Sequence, residues 1–158
     1  FINLCQQQRN NREMEAAIAW CLQAVAANRN YWNLVELGRT YYEARQYALA
    51  AEISREAINQ MPTQASAYQW LGVSLYLLGQ KEEALETLYT SAQLAPRNVW
   101  IRLDLGDVLQ WEGEYFLAAC EYTKALTLTD RETLIAKIQG RLESLPVTQA
   151  DLSRCNQE

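Results

Sequence analysis

One spacing constrains this chain more than any other feature. The dipeptide Leu-Gly stands at Leu37-Gly38, at Leu71-Gly72 and at Leu105-Gly106, each 34 residues from the last. Ala50, Ala84 and Ala118 keep the same step, as do Pro62 and Pro96. A fixed period of this length marks a repeat architecture, in which each copy is one supersecondary unit that buries its apolar face only against its neighbours.

Within each period the apolar residues recur at helical spacing, and the breaks fall at chemically sensible places. Asn30 and Asn98 precede such stretches, and an asparagine there can accept a hydrogen bond from an otherwise orphaned helix amide. Gly79 and Gly113 fall at equivalent turns, where a left-handed residue is often required. Pro62 and Pro96 follow helix ends, where proline stops further winding. Helices are therefore expected over 31–44 and 47–60, 65–78 and 81–94, and 99–112 and 115–128. Residues 1–9 read as the tail of a helix whose start has been cut away. With Phe rather than Met at position 1, the chain reads as an excised or processed piece. Asn10 is expected to cap the next helix, with Glu13 completing a capping box and Ala16 in the frame of Ala50. Thr129-Asp130-Arg131-Glu132 is a further capping box, opening a terminal helix through Leu145 with Gly140 in the register of Gly72. Thr133, Lys137, Arg141 and Ser144 give it the polar outer side that the end of a stacked array needs. The expected division is an incomplete leading repeat at 1–30, repeats at 31–64, 65–98 and 99–132, a capping helix at 133–145 and a frayed tail at 146–158.

Bulk properties exclude several functions. The net charge of -5 gives no basic footprint for nucleic acid. No run of about eighteen apolar residues is present, so no membrane span is expected. With His 0, the commonest general base and metal ligand is missing, as are Ser-His and Cys-His nucleophilic pairs. Cys5, Cys21, Cys120 and Cys155 lack Cys-x-x-Cys spacing. They are expected as free, small buried hydrophobes, with one long-range disulfide as the alternative in an oxidising compartment. No catalytic residue, metal site or cofactor is expected.

These spacings resemble the tetratricopeptide repeat, whose pattern runs W-x2-L-G-x2-Y, then A-x3-F, then P. The first copy gives Leu34-x2-Leu37-Gly38-x2-Tyr41, Ala50 and Pro62. The second gives Tyr68, Leu71-Gly72, Leu75, Ala84-x3-Leu88 and Pro96. The third gives Leu105-Gly106, Leu109 and Ala118-x3-Tyr122. Ser54 for the large aromatic, Arg102 for Trp and Asp130 for Pro are the departures. The resemblance covers roughly residues 10–145. It implies an all-α, right-handed α-solenoid of stacked helix-turn-helix units with a C-terminal capping helix.

The resemblance also implies a concave face lined by the first helix of each repeat, and with it a non-enzymatic module that binds a protein or peptide segment. The positions it assigns to that face include Trp32, Val35, Arg39 and Tyr42, then Gln69, Val73 and Tyr76, then Trp100, Leu103, Asp107 and Trp111, with Lys137 and Arg141 from the capping helix. Trp32, Tyr76 and Trp111 are expected to be exposed, and Trp20 and Trp70 to serve packing. The family's carboxylate clamp for chaperone tails is not matched, since Val35, Arg39, Trp70, Trp100 and Asp104 occupy its positions. The alternative reading is a structural or self-assembling segment of a longer superhelix, associating through exposed repeat ends, or a regulatory region of a larger polypeptide. The compartment is open, with the cytoplasm slightly favoured and a bacterial envelope as the alternative.

Overall fold

The computed structural model describes residues 1–155, and the described residues form ten helices and no strand. They are α1 (Ile2–Asn10), α2 (Met14–Ala27), α3 (Tyr31–Glu43), α4 (Tyr47–Gln60), α5 (Ala65–Leu77), α6 (Lys81–Leu94), α7 (Val99–Trp111), α8 (Tyr115–Leu126), α9 (Glu132–Glu143) and α10 (Gln149–Arg154). They group into two compact units, Phe1–Leu94 and Ala95–Glu158. The first unit stacks the hairpins α1–α2, α3–α4 and α5–α6, with α2 packed on α3 and α4 on α5. The second packs α7 on α8, and α8 against both α9 and α10.

Local chemistry sets these boundaries. The Asn30 side chain accepts from the Asn33 amide at 3.0 Å, and that of Asn98 accepts from the Trp100 amide at 3.0 Å. Both therefore satisfy helix amides that have no partner within the helix. Each of the four hairpin turns closes by one bond, from the amide just past a left-handed residue to a carbonyl five residues back. The pairs are Glu13 to Gln8, Gln46 to Tyr41, Gln80 to Leu75 and Glu114 to Leu109, at 2.8–3.0 Å. The left-handed residues are Gly79 (φ 82) and Gly113 (φ 83), but Arg12 (φ 65) and Arg45 (φ 61) in the two leading hairpins.

Four expectations at the ends are corrected by this geometry. Asn10 is the last residue of α1 rather than a cap, and Glu13 precedes α2 without a side-chain cap bond. The turn at Arg12 lies 33 residues before that at Arg45, so buried Ala17, not Ala16, is the equivalent of Ala50. Thr129 makes no capping box, and α9 starts at Glu132 behind Arg131. The segment after Pro146 is also not frayed over its described part. Thr148 and Asp151 form a capping box that starts α10, and Leu145 and Cys155 are buried. Residues 156–158 of the expected tail lie outside the described residues.

The cysteines are not free. Cys5 pairs with Cys21 and Cys120 with Cys155, at Cα separations of 5.1 and 5.0 Å. Cys5–Cys21 ties α1 to α2, and Cys120–Cys155 ties the end of α10 to α8. Sequence spacing hides both pairings, because the partners meet only once helices lie side by side. Cross-links over loops of this length stabilise by about 2–4 kcal/mol through the unfolded chain. Reduction of the folded protein is expected to lower stability by that order, read as a fall in the denaturant midpoint. An unchanged midpoint after complete reduction would refute it.

The recurring glycines sit where α3, α5 and α7 each meet the second helix of the same hairpin. A Cβ on Gly72 would lie 2.6 Å from Leu88 Cγ, and one on Gly106 would lie 2.5 Å from Tyr122 Cε1. One on Gly38 would lie 3.0 Å from Ser54 Oγ with its next neighbours at 3.6 and 3.8 Å, and one on Gly140 would meet nothing within 4 Å. Overpacking costs about 1–3 kcal/mol, while Gly→Ala inside a helix gains roughly 1 kcal/mol. Alanine at 72 or 106 is therefore expected to destabilise, at 38 to be near neutral, and at 140 to stabilise by up to about 1 kcal/mol. Denaturant titration of the four variants checks the order, and four equal effects would refute the packing account.

Candidate functional site

In the first unit, an ionic and aromatic group is built on α1, α3 and α5. Arg9 of α1 is nearly buried, its side chain 4% exposed, and its Nη1 donates to Glu36 Oε2 at 2.8 Å. The same Nη1 donates to the Thr40 hydroxyl at 3.2 Å, and Arg9 Nε stands 3.6 Å from Glu43 Oε2. Glu43 also accepts from Arg39 Nε at 2.8 Å. The Arg39 guanidinium carbon lies 5.4 Å from the Trp70 ring centre, within cation–π range. The Tyr42 ring lies 5.5 Å from Trp70 and 5.9 Å from Tyr47. Two turns before Arg39, Trp32 packs edge-on against buried Tyr31 at 4.9 Å between ring centres and is otherwise open.

The second unit carries a different face. Trp100 and Trp111 stand eleven residues apart on α7, which is close to three full turns and therefore one side of the helix. On that side lies Asp107, which accepts from the Tyr122 hydroxyl at 2.6 Å and from Arg141 Nη2 at 2.8 Å. The Tyr122 hydroxyl also lies 2.9 Å from Gln110 Oε1. Burial pushes the Asp107 carboxyl above its usual range, against the opposing pull of Tyr122, Arg141 and Lys137. Burial, then the hydrogen bond to Asp107 and its charge, push the Tyr122 phenol far above its ordinary value. Deeper in the unit, Glu121 is held by Arg102 at 2.7 Å and by Lys124 at 3.1 Å.

The positions assigned from the resemblance divide accordingly. Trp32, Trp100 and Trp111 are 60%, 50% and 58% exposed, unusually open for tryptophan. Arg39, Tyr42, Asp107 and Arg141 are half-buried, and Lys137 is exposed. Val35, Gln69, Val73 and Leu103 are buried and present nothing to a partner in this arrangement. Val35, Gln69 and Leu103 each precede a packing glycine by three residues, which puts them on the helix's buried stripe. Val73 follows Gln69 by four and joins that stripe. Tyr76 is half-buried rather than open, with Lys81 Nζ 5.9 Å from its ring centre. Trp70 was expected only in packing, yet it is the platform beneath Arg39. Arg9, Glu36, Tyr47 and Tyr122 were not foreseen in these groups. Only Tyr122 carried a usable signal, as the large residue facing Gly106. Trp20 is half-buried against Phe1 at 6.1 Å, as expected of packing.

Among the described residues no cluster of His, Cys, Asp or Glu suits a metal ion. No described helix is long and apolar enough to cross a membrane. No protein-family model matches the sequence, and no curated protein matches it significantly. Solved structures do match. TTC0263, a thermophilic TPR protein of Thermus thermophilus, is 21% identical over 99% of this chain and 95% of its own, with a TM-score of 0.78. MamA from Desulfovibrio magneticus RS-1 is 17% identical over 98% of this chain and 86% of its own, with a TM-score of 0.70. The type III secretion translocator chaperone SycD of Yersinia enterocolitica is 17% identical over 73% of this chain and 89% of its own, with a TM-score of 0.66. The chain has the tetratricopeptide-repeat fold, an all-α architecture of repeated helical hairpins.

Tyr122 makes the fold sensitive to alkali. Its folded pKa is raised above the unfolded value of 10.0. Its contribution is therefore fully present below that value and is lost as pH rises past it, because only the unfolded chain ionises readily. Buried Tyr31 and Tyr41 shift in the same direction. Stability should fall as pH rises above 10.0. Tyr122→Phe should flatten that fall while costing about 1–3 kcal/mol at neutral pH through the lost bond to Asp107. Denaturant titrations across the alkaline range check this, and an identical slope in wild type and variant would exclude the assignment.

Proposed function

We propose that this chain is a non-enzymatic protein-interaction module that takes a segment of a partner protein on the exposed faces of its first helices. The observation that carries the reading is the exposure of Trp32 on α3 and of Trp100 and Trp111 on α7. Exposed tryptophan beside fixed polar groups is the composition of a binding hot spot, since the indole supplies large rigid contact area at little entropic cost. Tyr31 behind Trp32, and the Asp107–Arg141 pair beside Trp111, would hold each anchor in place. One structure of this fold is a translocator chaperone, which lends support at the level of the fold alone.

The two disulfides bear on where such a module works. Paired cysteines persist in oxidising compartments and are rare where thiols are kept reduced. Both pairs here therefore favour an oxidising compartment, such as a bacterial envelope, over the cytoplasm.

The test begins with cross-linking of the whole chain to its partner in cells, followed by affinity measurements on the purified pair. Trp32→Ala or Trp111→Ala should weaken binding by more than about 1 kcal/mol, at least fivefold. Helicity by circular dichroism should stay unchanged, because neither indole is part of the core. Variants that unfold while binding per folded molecule is preserved would overturn the assignment of these tryptophans.

A further inference from the structure

We propose that the Cys120–Cys155 disulfide is a thiol-operated latch. A dithiol reductant opens it, α10 leaves the outer face of α8, and reoxidation closes it again. The inference goes beyond the interaction-module reading and does not depend on it.

The outer stripe of α8 carries the argument. Phe116 and Cys120 stand four residues apart and so share one face of the helix. In the 34-residue frame the same two positions are Ala48 and Glu52 on α4, and Glu82 and Glu86 on α6, all of them exposed. Of these three helices only α8 has a large apolar residue there, and α10 covers it. Cys155 bonds to Cys120, and the Arg154 guanidinium carbon lies 5.2 Å from the Phe116 ring centre.

Little besides the disulfide holds α10 in place. Among the described residues α8 is the one helix it packs against, and none of its own six residues is buried. The capping box of Thr148 and Asp151 lies within the segment and does not tie it to α8. Isolated helices shorter than roughly 12–15 residues are marginal in water, so α10 loses its order with its anchorage. The rest of the unit stays tied without it, since Tyr122 of α8 and Arg141 of α9 both bond to Asp107 of α7.

The other disulfide is built to stay shut. Cys5 and Cys21 are 0% exposed, and Arg9 on Glu36 holds α1 to α3 independently. Once reduced, these two thiols remain side by side and re-form their bond readily. Cys120 and Cys155 are 8% and 6% exposed, and Cys155 closes the end of α10, where helices fray. Once reduced, Cys155 sits on a loose segment and its effective concentration at Cys120 falls. In the opening step a thiolate of the dithiol attacks the Cys155 sulfur, and the Cys120 sulfur leaves and takes up a proton. The second thiol of the reductant then attacks the mixed disulfide, displaces Cys155 as a thiol and closes the reductant's own disulfide. Two electrons and two protons pass from the dithiol to the protein.

The experiment equilibrates the whole 15N-labelled chain in graded ratios of reduced to oxidised dithiothreitol. Alkylation and mass spectrometry read each cysteine pair, and NMR relaxation reads backbone order. Cys120–Cys155 should be half-reduced at a ratio at least about tenfold lower than Cys5–Cys21. At that ratio the order parameters of residues 149–154 should fall from about 0.85 to below about 0.6, while those of α7 and α8 stay high. Oxidised dithiothreitol should restore them. Cys155→Ser should show the mobile α10 without reductant and be indifferent to it at the same ratio. An α10 that stays rigid in the reduced protein or in Cys155→Ser would overturn the proposal. So would reduction of both pairs at one ratio, or Cys5–Cys21 yielding first. Loss of order in α7 and α8 together with α10, by reduction or by the variant, would also overturn it, since the bond would then be a structural staple rather than a latch.

Discussion

The structure depends on one contact, made four times. In every hairpin a residue of the first helix faces a residue sixteen positions later on the second, and the pair fixes how closely the two helices lie. Gly72 faces Leu88 and Gly106 faces Tyr122, a small residue under a large one. Gly38 faces Ser54, small under small, and the partly buried Ile53 sits beside the same gap. In the leading hairpin the pair is Cys5 and Cys21, with a sequence separation of 16, joined covalently. Shape complementarity in two copies, a small polar pair in one and a covalent bond in the last are different solutions to one steric problem. Interiors packed like molecular crystals admit few alternatives, since a void or a clash of one methylene is felt.

What fills the contact then decides what reaches the surface. Leu88 ends in the core. Tyr122 passes through the same place and carries its hydroxyl beyond it to Asp107, which also holds Arg141. The packing residue of α8 thereby ties α7 to α9 and fixes the polar group beside Trp111. Ser54 reaches nothing comparable, and the ionic order of the first unit comes from α1 instead, through Arg9 to Glu36 and Glu43. Two faces of similar sequence position therefore acquire their rigidity from opposite sides of the hairpin.

This explains how much was legible from residues alone. The period carried the architecture, because Leu-Gly, alanine and proline in phase over three copies leave one arrangement that buries them all. Predicted spans 47–60 and 81–94 coincide with α4 and α6, because Gly79 and Pro96 bracket the latter and the 34-residue frame carries the same bounds back to the former. Where glycine is absent from a turn, the pattern does not mark it. Arg12 and Arg45 take the left-handed turn that glycine signals elsewhere, so nothing in the sequence marks the shorter leading period, and a constant step of 34 falls on Ala16 instead of Ala17. The face was legible only as helix phase. Phase places Trp32 and Trp111 outward correctly, but it does not separate Val35 or Leu103 from the buried stripe beside them. Nor could it find Trp70 under Arg39, or either disulfide. Those depend on distances between helices, which a one-dimensional pattern does not contain.

The two disulfides then read as parts of one arrangement rather than as separate ornaments. Within each unit an end element has a packed neighbour on one side only, and such elements open more readily than those between. Cys5–Cys21 fastens α1, the first helix of the first unit, and Cys120–Cys155 fastens α10, the last helix of the second. Cys120 occupies the position of Glu52 and Glu86, which are exposed on α4 and α6, whereas under α10 the cysteine is buried. The covalent bond thus converts an outward-facing position into a covered one. Each cross-link fastens an end element of its own unit, and α1 is also the element that carries Arg9. Fixing α1 therefore does more than resist fraying: it holds the charge network behind Arg39 in one geometry, and through it the face that α3 offers to solvent.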